Sequence, residues 1–145
     1  MSQPVFILGG AQSDFAINWT RADHTLFDLI GDTTHAALDD ANLEAADIDA
    51  VHVGNFAGEL FCGQGLLGGM MGHVDPGFEG KPTSRHEAAC ASGSMAILAA
   101  MSDILAGHYD TVAVVGVEMM PKVRASAPAA VQTQETSEMA MKAKQ

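Results

Sequence analysis

Residues 111–117 (TVAVVGV) form an unbroken apolar, β-branched run set between Asp110 and Glu118. As a strand it has no polar face to offer water, so it has to be covered on both sides. A strand covered on both sides needs helices above and below it, and a chain supplies them by alternating strands with helices. The remaining sequence alternates in that way. Residues 5–8 (VFIL), stopped by Gly9-Gly10, predict a buried strand. Thr25 followed by Asp28 has the form of a capping box. The helix it opens carries Leu26, Leu29, Ile30, Ala37, Leu38 and Ala41 at helical spacing and ends near Asn42. Residues 49–56 predict a second strand with Val51 and Val53 on one face. A glycine-rich stretch over 57–80 predicts a short helix within an irregular, close-packed region. Residues 84–89 predict a third, short strand, and 90–106 a helix closed by Gly107. The expected fold class is α/β, with a mostly parallel, mixed sheet and helices on both faces. One domain over residues 1–120 is expected. Past Pro121 the apolar pattern collapses, and residues 121–145 read as a polar tail, disordered or loosely helical.

Charge narrows the function classes. Seven Lys and Arg stand against 18 Asp and Glu, a formal charge of −11. Such a chain lacks the basic stripe that nucleic acid requires, so nucleic acid is not an expected partner. No apolar run approaches the roughly 20 residues of a membrane helix, and the N-terminus lacks a basic stretch followed by a long apolar core. A cytoplasmic protein is expected. Two cysteines, Cys62 and Cys90, do not make a disulfide framework.

Chemistry concentrates in His86-Glu87-Ala88-Ala89-Cys90-Ala91-Ser92-Gly93-Ser94-Met95. Cys90 stands where a strand runs into a helix, so its sulfur is expected at the helix N-terminus. Unpaired N–H groups and the positive end of the dipole meet there, favouring thiolate and an oxyanion. Small residues follow it and leave room for substrate. The helix beyond (Met95, Ile97, Leu98, Met101, Ile104, Leu105) is apolar nearly all round, as a buried central helix is. Spacing alone leaves two readings of Cys90 open, a nucleophile or a small buried hydrophobe.

The segment ACASGSMA, with PTSRHEAA before it and AGHYDTVAVVGVEMM after it, resembles the nucleophile region of thiolases. Sterol-carrier-protein-type thiolases and acetyl-CoA acetyltransferases are the most similar variety. VFILGGAQSDFAINWTR and DIDAVHVGNFAGELFCGQGLLGG agree with it, so the resemblance runs over residues 4–120. It implies the N-terminal half of a thiolase-like fold, with the nucleophile at the N-terminus of a buried central helix. Cys90 would be the acyl acceptor in 3-ketoacyl-CoA thiolysis or acetyl-CoA Claisen condensation, its N–H one donor of an oxyanion hole. Coenzyme A thioesters would be substrates, with no cofactor held permanently. A homo-oligomer is implied, or a partner chain supplying the missing half, and the strand around residues 85–88 resembles the one that pairs across the family's dimer. The family's second half supplies an activating histidine and a second, acid/base cysteine, and neither motif occurs in this chain. A non-catalytic fragment or interaction subunit is therefore the alternative function, and a Cys-dependent thioester hydrolase a further one.

The other candidates carry blander expectations. His86 shares a strand face with Cys90, but four strand residues separate their Cα atoms by roughly 13 Å, too far for a hydrogen bond to the sulfur. His24, His35, His52, His73 and His108 lack partners at metal-ligand spacing and read as surface or satisfied histidines, so no metal is expected. Cys62 reads as a packing residue, Glu118 as a positioning residue and Asn55 as a turn former. Lys81, Arg85, Lys122 and Arg124 do not form a phosphate clamp, which leaves the coenzyme A site unassigned.

Overall fold

The computed structural model describes residues 4–120, so the tail predicted over 121–145 lies outside the described residues. Helix α1 (Leu26–Ala41) is followed by strand β1 (Ala50–Gly54), short helices α2 (Gly58–Cys62) and α3 (Met71–Val74), and strand β2 (Thr83–His86). Helix α4 (Ser92–Leu105) and strand β3 (Val112–Gly116) complete the order. Single 3-10 turns at Ala45–Asp47, Gly68–Met70, Pro76–Phe78 and Ala89–Ala91 fill the connections.

The capping box at Thr25 forms as the sequence predicts. Thr25 Oγ1 accepts from the Asp28 N–H at 3.1 Å, and Asp28 Oδ2 accepts from the Thr25 N–H at 2.7 Å. At the other end Asn42 takes the left-handed conformation, φ 53°, and stops the helix. The stripe Leu26, Leu29, Ile30 and Leu38 is buried.

All strand pairs are parallel, in the order β2-β1-β3. β1 is therefore the middle strand and is buried along its whole length. The run at 111–117, whose two apolar faces predict cover on both sides, forms an edge strand among the described residues. It pairs with β1 alone, and its Val114 is 37% exposed. Val51 and Val53 of β1 face the main core, which they share with Ile30, Leu67, Met71 and Phe78. Helix α4 covers the opposite face, so helical layers lie on both sides of the sheet. Small residues make that approach possible: a Cβ on Gly54 would sit 2.7 Å from the Cα and N of Gly93. Lys81 closes one corner by donating to the carbonyls of Ala45, Ala46 and Ile48, so it serves the turn before β1.

Two expectations meet a different structure. Residues 5–8 form no strand; Phe6, Ile7 and Leu8 are 73%, 95% and 63% exposed. An apolar run becomes a strand only where a neighbour accepts its ladder, and among the described residues none does. Gly9 and Gly10 instead hold the segment against the end of α1. A Cβ on Gly9 would clash with Ala41, and the Gly10 N–H donates to Asp40 at 2.9 Å. In α4, burial is met on one side only. Ala96 and Ala100 pack on the sheet, while Ile97, Leu98 and Leu105 are half exposed.

Candidate functional site

The carboxyl ends of β1, β2 and β3 lie side by side, and the loops leaving them build the site, as clefts in parallel sheets are built. β2 ends at His86, and the chain then turns a sharp corner into α4. Ala89 stands at φ 49°, a left-handed conformation that costs an alanine free energy. Three local bonds hold the corner. The Ala89 N–H donates to Glu87 Oε1 at 2.7 Å. Ser92 Oγ accepts from the Ala88 N–H at 2.9 Å and donates to the Ala89 carbonyl at 2.7 Å. Cys90 is carried in the 3-10 turn at this corner, one turn ahead of the α-helix proper, and it is exposed. It is therefore not the small buried hydrophobe that spacing alone allowed.

Cys90 opens on a cleft of about 690 Å³ whose walls include Asn55, Phe56, Phe61, Gly93 and Glu118. Two side chains fix its floor. Asn55, fully buried, donates from Nδ2 to the Val117 carbonyl at 2.8 Å and accepts at Oδ1 from the Gly58 N–H at 2.9 Å. It thus joins the end of β1 to the end of β3 and to the head of α2, well beyond forming a turn. Glu118 accepts from the Phe56 and Ala57 N–H groups at 3.0 and 3.1 Å, using one carboxylate oxygen to hold the loop over the cleft. Arg85 ties the same loop from the other side by donating to the Phe56 carbonyl at 2.8 Å. Cys62 lies behind this wall, and its thiol donates to the Met119 carbonyl at 3.2 Å. Burial, with Glu118 beside it, pushes the Cys62 thiol up from its ordinary value. Such a thiol is a poor nucleophile.

The histidines do not gather at Cys90. His35 pairs with Asp75 and His108 with Asp103; His24 packs on Trp19 and His73 on Phe27. His52 and His86 meet each other, with Ser84 and Asp103 around them. That meeting follows from the pairing of β1 with β2 and has no signal in local sequence. Among the described residues no group of three His, Cys, Asp or Glu converges as a metal site, and no helix is long and apolar enough to cross a membrane.

A cysteine on the corner ahead of a small-residue helix, over a parallel sheet, is part of the arrangement the sequence resemblance implies, although the helix is buried on one side only. The family model described as "Thiolase, N-terminal domain" matches residues 5–145. The chain belongs to the thiolase family. Among curated proteins it is 34% identical over 125 residues to the acetyl-CoA acetyltransferase of Methanothermobacter thermautotrophicus. That alignment covers 86% of this chain and 32% of the relative. The acetyl-CoA acetyltransferase of Methanocaldococcus jannaschii is 36% identical over 119 residues, covering 82% and 29%. A Caenorhabditis elegans protein named non-specific lipid-transfer protein-like 2 is 29% identical over 116 residues, covering 80% and 27%. The chain thus spans about a third of the length of the curated relatives it matches. The thiolase resemblance, the α/β fold class and the parallel sheet all stand.

Proposed function

We propose that this chain carries the acyl-accepting part of a coenzyme A-dependent acyltransferase, with Cys90 as the nucleophile. The observation that carries the reading is the exposed Cys90 on its elbow at the mouth of the cleft. In the thiolytic direction the Cys90 thiolate attacks the C3 carbonyl of a 3-ketoacyl-CoA. The tetrahedral adduct collapses by breaking the C2–C3 bond, and the departing acetyl-CoA enolate takes up a proton. The acyl group, now a thioester on Cys90, passes to the thiolate of a second coenzyme A and frees the sulfur. Condensation of two acetyl groups is the same sequence reversed. The Cys90 N–H at the head of α4 is the oxyanion donor this reading assigns, and the bonds of Asn55 and Glu118 hold the floor of the cleft. Besides Cys90, Glu118 is the one ionisable residue lining the described cleft, and it is committed to the Phe56 and Ala57 N–H groups, so the base that takes the Cys90 proton and the acid that protonates the enolate are assigned elsewhere. They belong to the polypeptide beyond this third of the family's length, whether a further part of the same protein or a partner chain.

Intact mass after incubation with acetyl-CoA or acetoacetyl-CoA tests this. One acetyl group gained by the chain and absent in Cys90→Ala supports a nucleophile competent within this part. Acetylation that persists in Cys90→Ala would overturn the assignment. The exposed Ile97, Leu98 and Leu105 favour a second reading for the chain by itself, a non-catalytic part awaiting a covering surface. No adduct, combined with recovery of one when the missing region is supplied, is the result expected on that reading.

A further inference from the structure

The sheet face under α4 holds a polar cluster that acyl transfer does not use. His52 of β1 and Ser84 and His86 of β2 point to this face, because the register pairs His52 with Ser84 and Gly54 with His86. His52 Nδ1 lies 2.8 Å from His86 Nε2, and the rings are stacked with centroids 5.0 Å apart. Ser84 Oγ is 3.1 Å from His52 Nδ1 and 2.9 Å from His86 Nε2. From α4, Asp103 Oδ2 approaches His52 Nε2 at 3.2 Å, an ionic distance lacking hydrogen-bond alignment, and its Oδ1 is 3.3 Å from His108 Nδ1. β3 adds only Val112 and Val114 to this face by register, and Arg85 lies on the opposite face of β2. The His52 side chain is 7% exposed.

Proton counting decides what the cluster tolerates. Two ring nitrogens in hydrogen-bond contact have room for one proton between them. With His52 Nε2–H turned to Asp103, His52 Nδ1 is an acceptor, and Ser84 O–H and His86 Nε2–H donate towards it. A proton on the outer nitrogen of His86 leaves that arrangement intact. With His52 alone protonated, a neutral His86 still accepts at Nε2; once both rings are protonated, N–H is set against N–H and charge against charge between stacked rings. Burial, and after it His86, hold the His52 imidazole below its ordinary value, and the misaligned Asp103 opposes this without offsetting it.

We propose that His52 is a positioning residue for the Cys90 elbow, and that protonation of His52 together with His86 releases the end of β2 from β1 and the elbow with it. The idea rests on Cys90 being the nucleophile, while the release itself does not. The lever is short. The Asn55 N–H donates to the His86 carbonyl at 3.0 Å, and Asn55 is the residue that braces Val117 and Gly58. Past His86 the chain enters the corner that carries Cys90. The sign follows from linkage. His52 resists protonation when folded and accepts it ordinarily when unfolded, so the contact weakens as pH falls below the usual histidine value of about 6.5.

Hydrogen exchange of the 145-residue chain, corrected for intrinsic rates, at about pH 7.5 and about pH 5 reads this directly. The Asn55 and Ala91 amides are expected to lose protection at least about tenfold in acid while Ile30 of α1 keeps its own. His86→Val keeps a strand-forming residue and removes the second ring, so acid loss should vanish there and in His86→Asn. Unchanged Asn55 protection in acid, or equal loss in both variants, would overturn the proposal. Acetylation of Cys90, followed by mass at neutral pH, reports separately. Acid release supports the His52 lever whatever the adduct shows, and only an adduct that stays absent when the missing region is supplied counts against the nucleophile; an adduct with no acid release supports the nucleophile and overturns the lever.

Discussion

Ala89 bears the strain of the corner that presents Cys90. At φ 49° an alanine pays about 1 kcal/mol or more relative to its relaxed backbone. A β-branched side chain pays more, so Ala89→Val should lower unfolding stability by about 1–3 kcal/mol. Ala89→Gly should leave it within about 1 kcal/mol, since relieved strain offsets the looser unfolded chain. Denaturant titration of both variants checks the pair, and equal effects would show that the strain is absent. The two cysteines should differ sharply in reactivity. Burial and Glu118 keep Cys62 protonated at neutral pH, whereas Cys90 is open to solvent. Iodoacetamide at about pH 7.5, read by peptide mass, should alkylate Cys90 at least about tenfold faster. Faster labelling of Cys62 would move the reactive thiol behind the cleft wall. The room beside Cys90 was legible in the small residues that follow it, but its exposure was not, since spacing alone left a buried hydrophobe open. The Ser92 hydroxyl that pins the corner was not, because a serine in that position reads equally well as packing.

At the scale of elements, what the sequence revealed depended on how local the deciding interaction was. Helix α1 was readable at both ends because Thr25, Asp28 and Asn42 each act within a turn. Thr25→Ala removes one side of the box and should cost about 1 kcal/mol, measurable as a fall in the denaturant midpoint. Residues 5–8 and 111–117 look alike as apolar runs, yet one becomes a strand and the other does not. The difference lies in which edge is available to pair, and composition does not record that. The docking of α4 on β1 was likewise hidden, since it turns on the space left where Gly54 meets Gly93. Gly54→Ala places a methyl where backbone already stands. It should destabilise by about 1–3 kcal/mol and slow acetylation of Cys90, because α4 must move at its first turn. Full stability combined with full acetylation in that variant would show that the close approach is dispensable.

At the scale of the molecule, apolar surface on the free side of α4 and over residues 5–8 faces water beside a strongly acidic exterior. Charge repulsion opposes association through that surface, and salt at about 0.15 M confines it to about 8 Å. Self-association measured by sedimentation should therefore strengthen with ionic strength. Leu98→Glu with Leu105→Glu should abolish it while shifting stability by about 0.5 kcal/mol per site or less. Association unaffected by those changes would place the contact elsewhere. The thiolase membership was legible across residues 4–120, whereas the histidine pair beneath α4 was not, because it requires the β1–β2 register. The bonds holding the Cys90 corner all come from residues 87–92. The corner that presents Cys90 therefore draws none of these bonds from the later two-thirds of a chain of the relatives' length. With the Cys90 sulfur exposed on this corner, any surface that comes to cover it would also shield the thiol from oxidants.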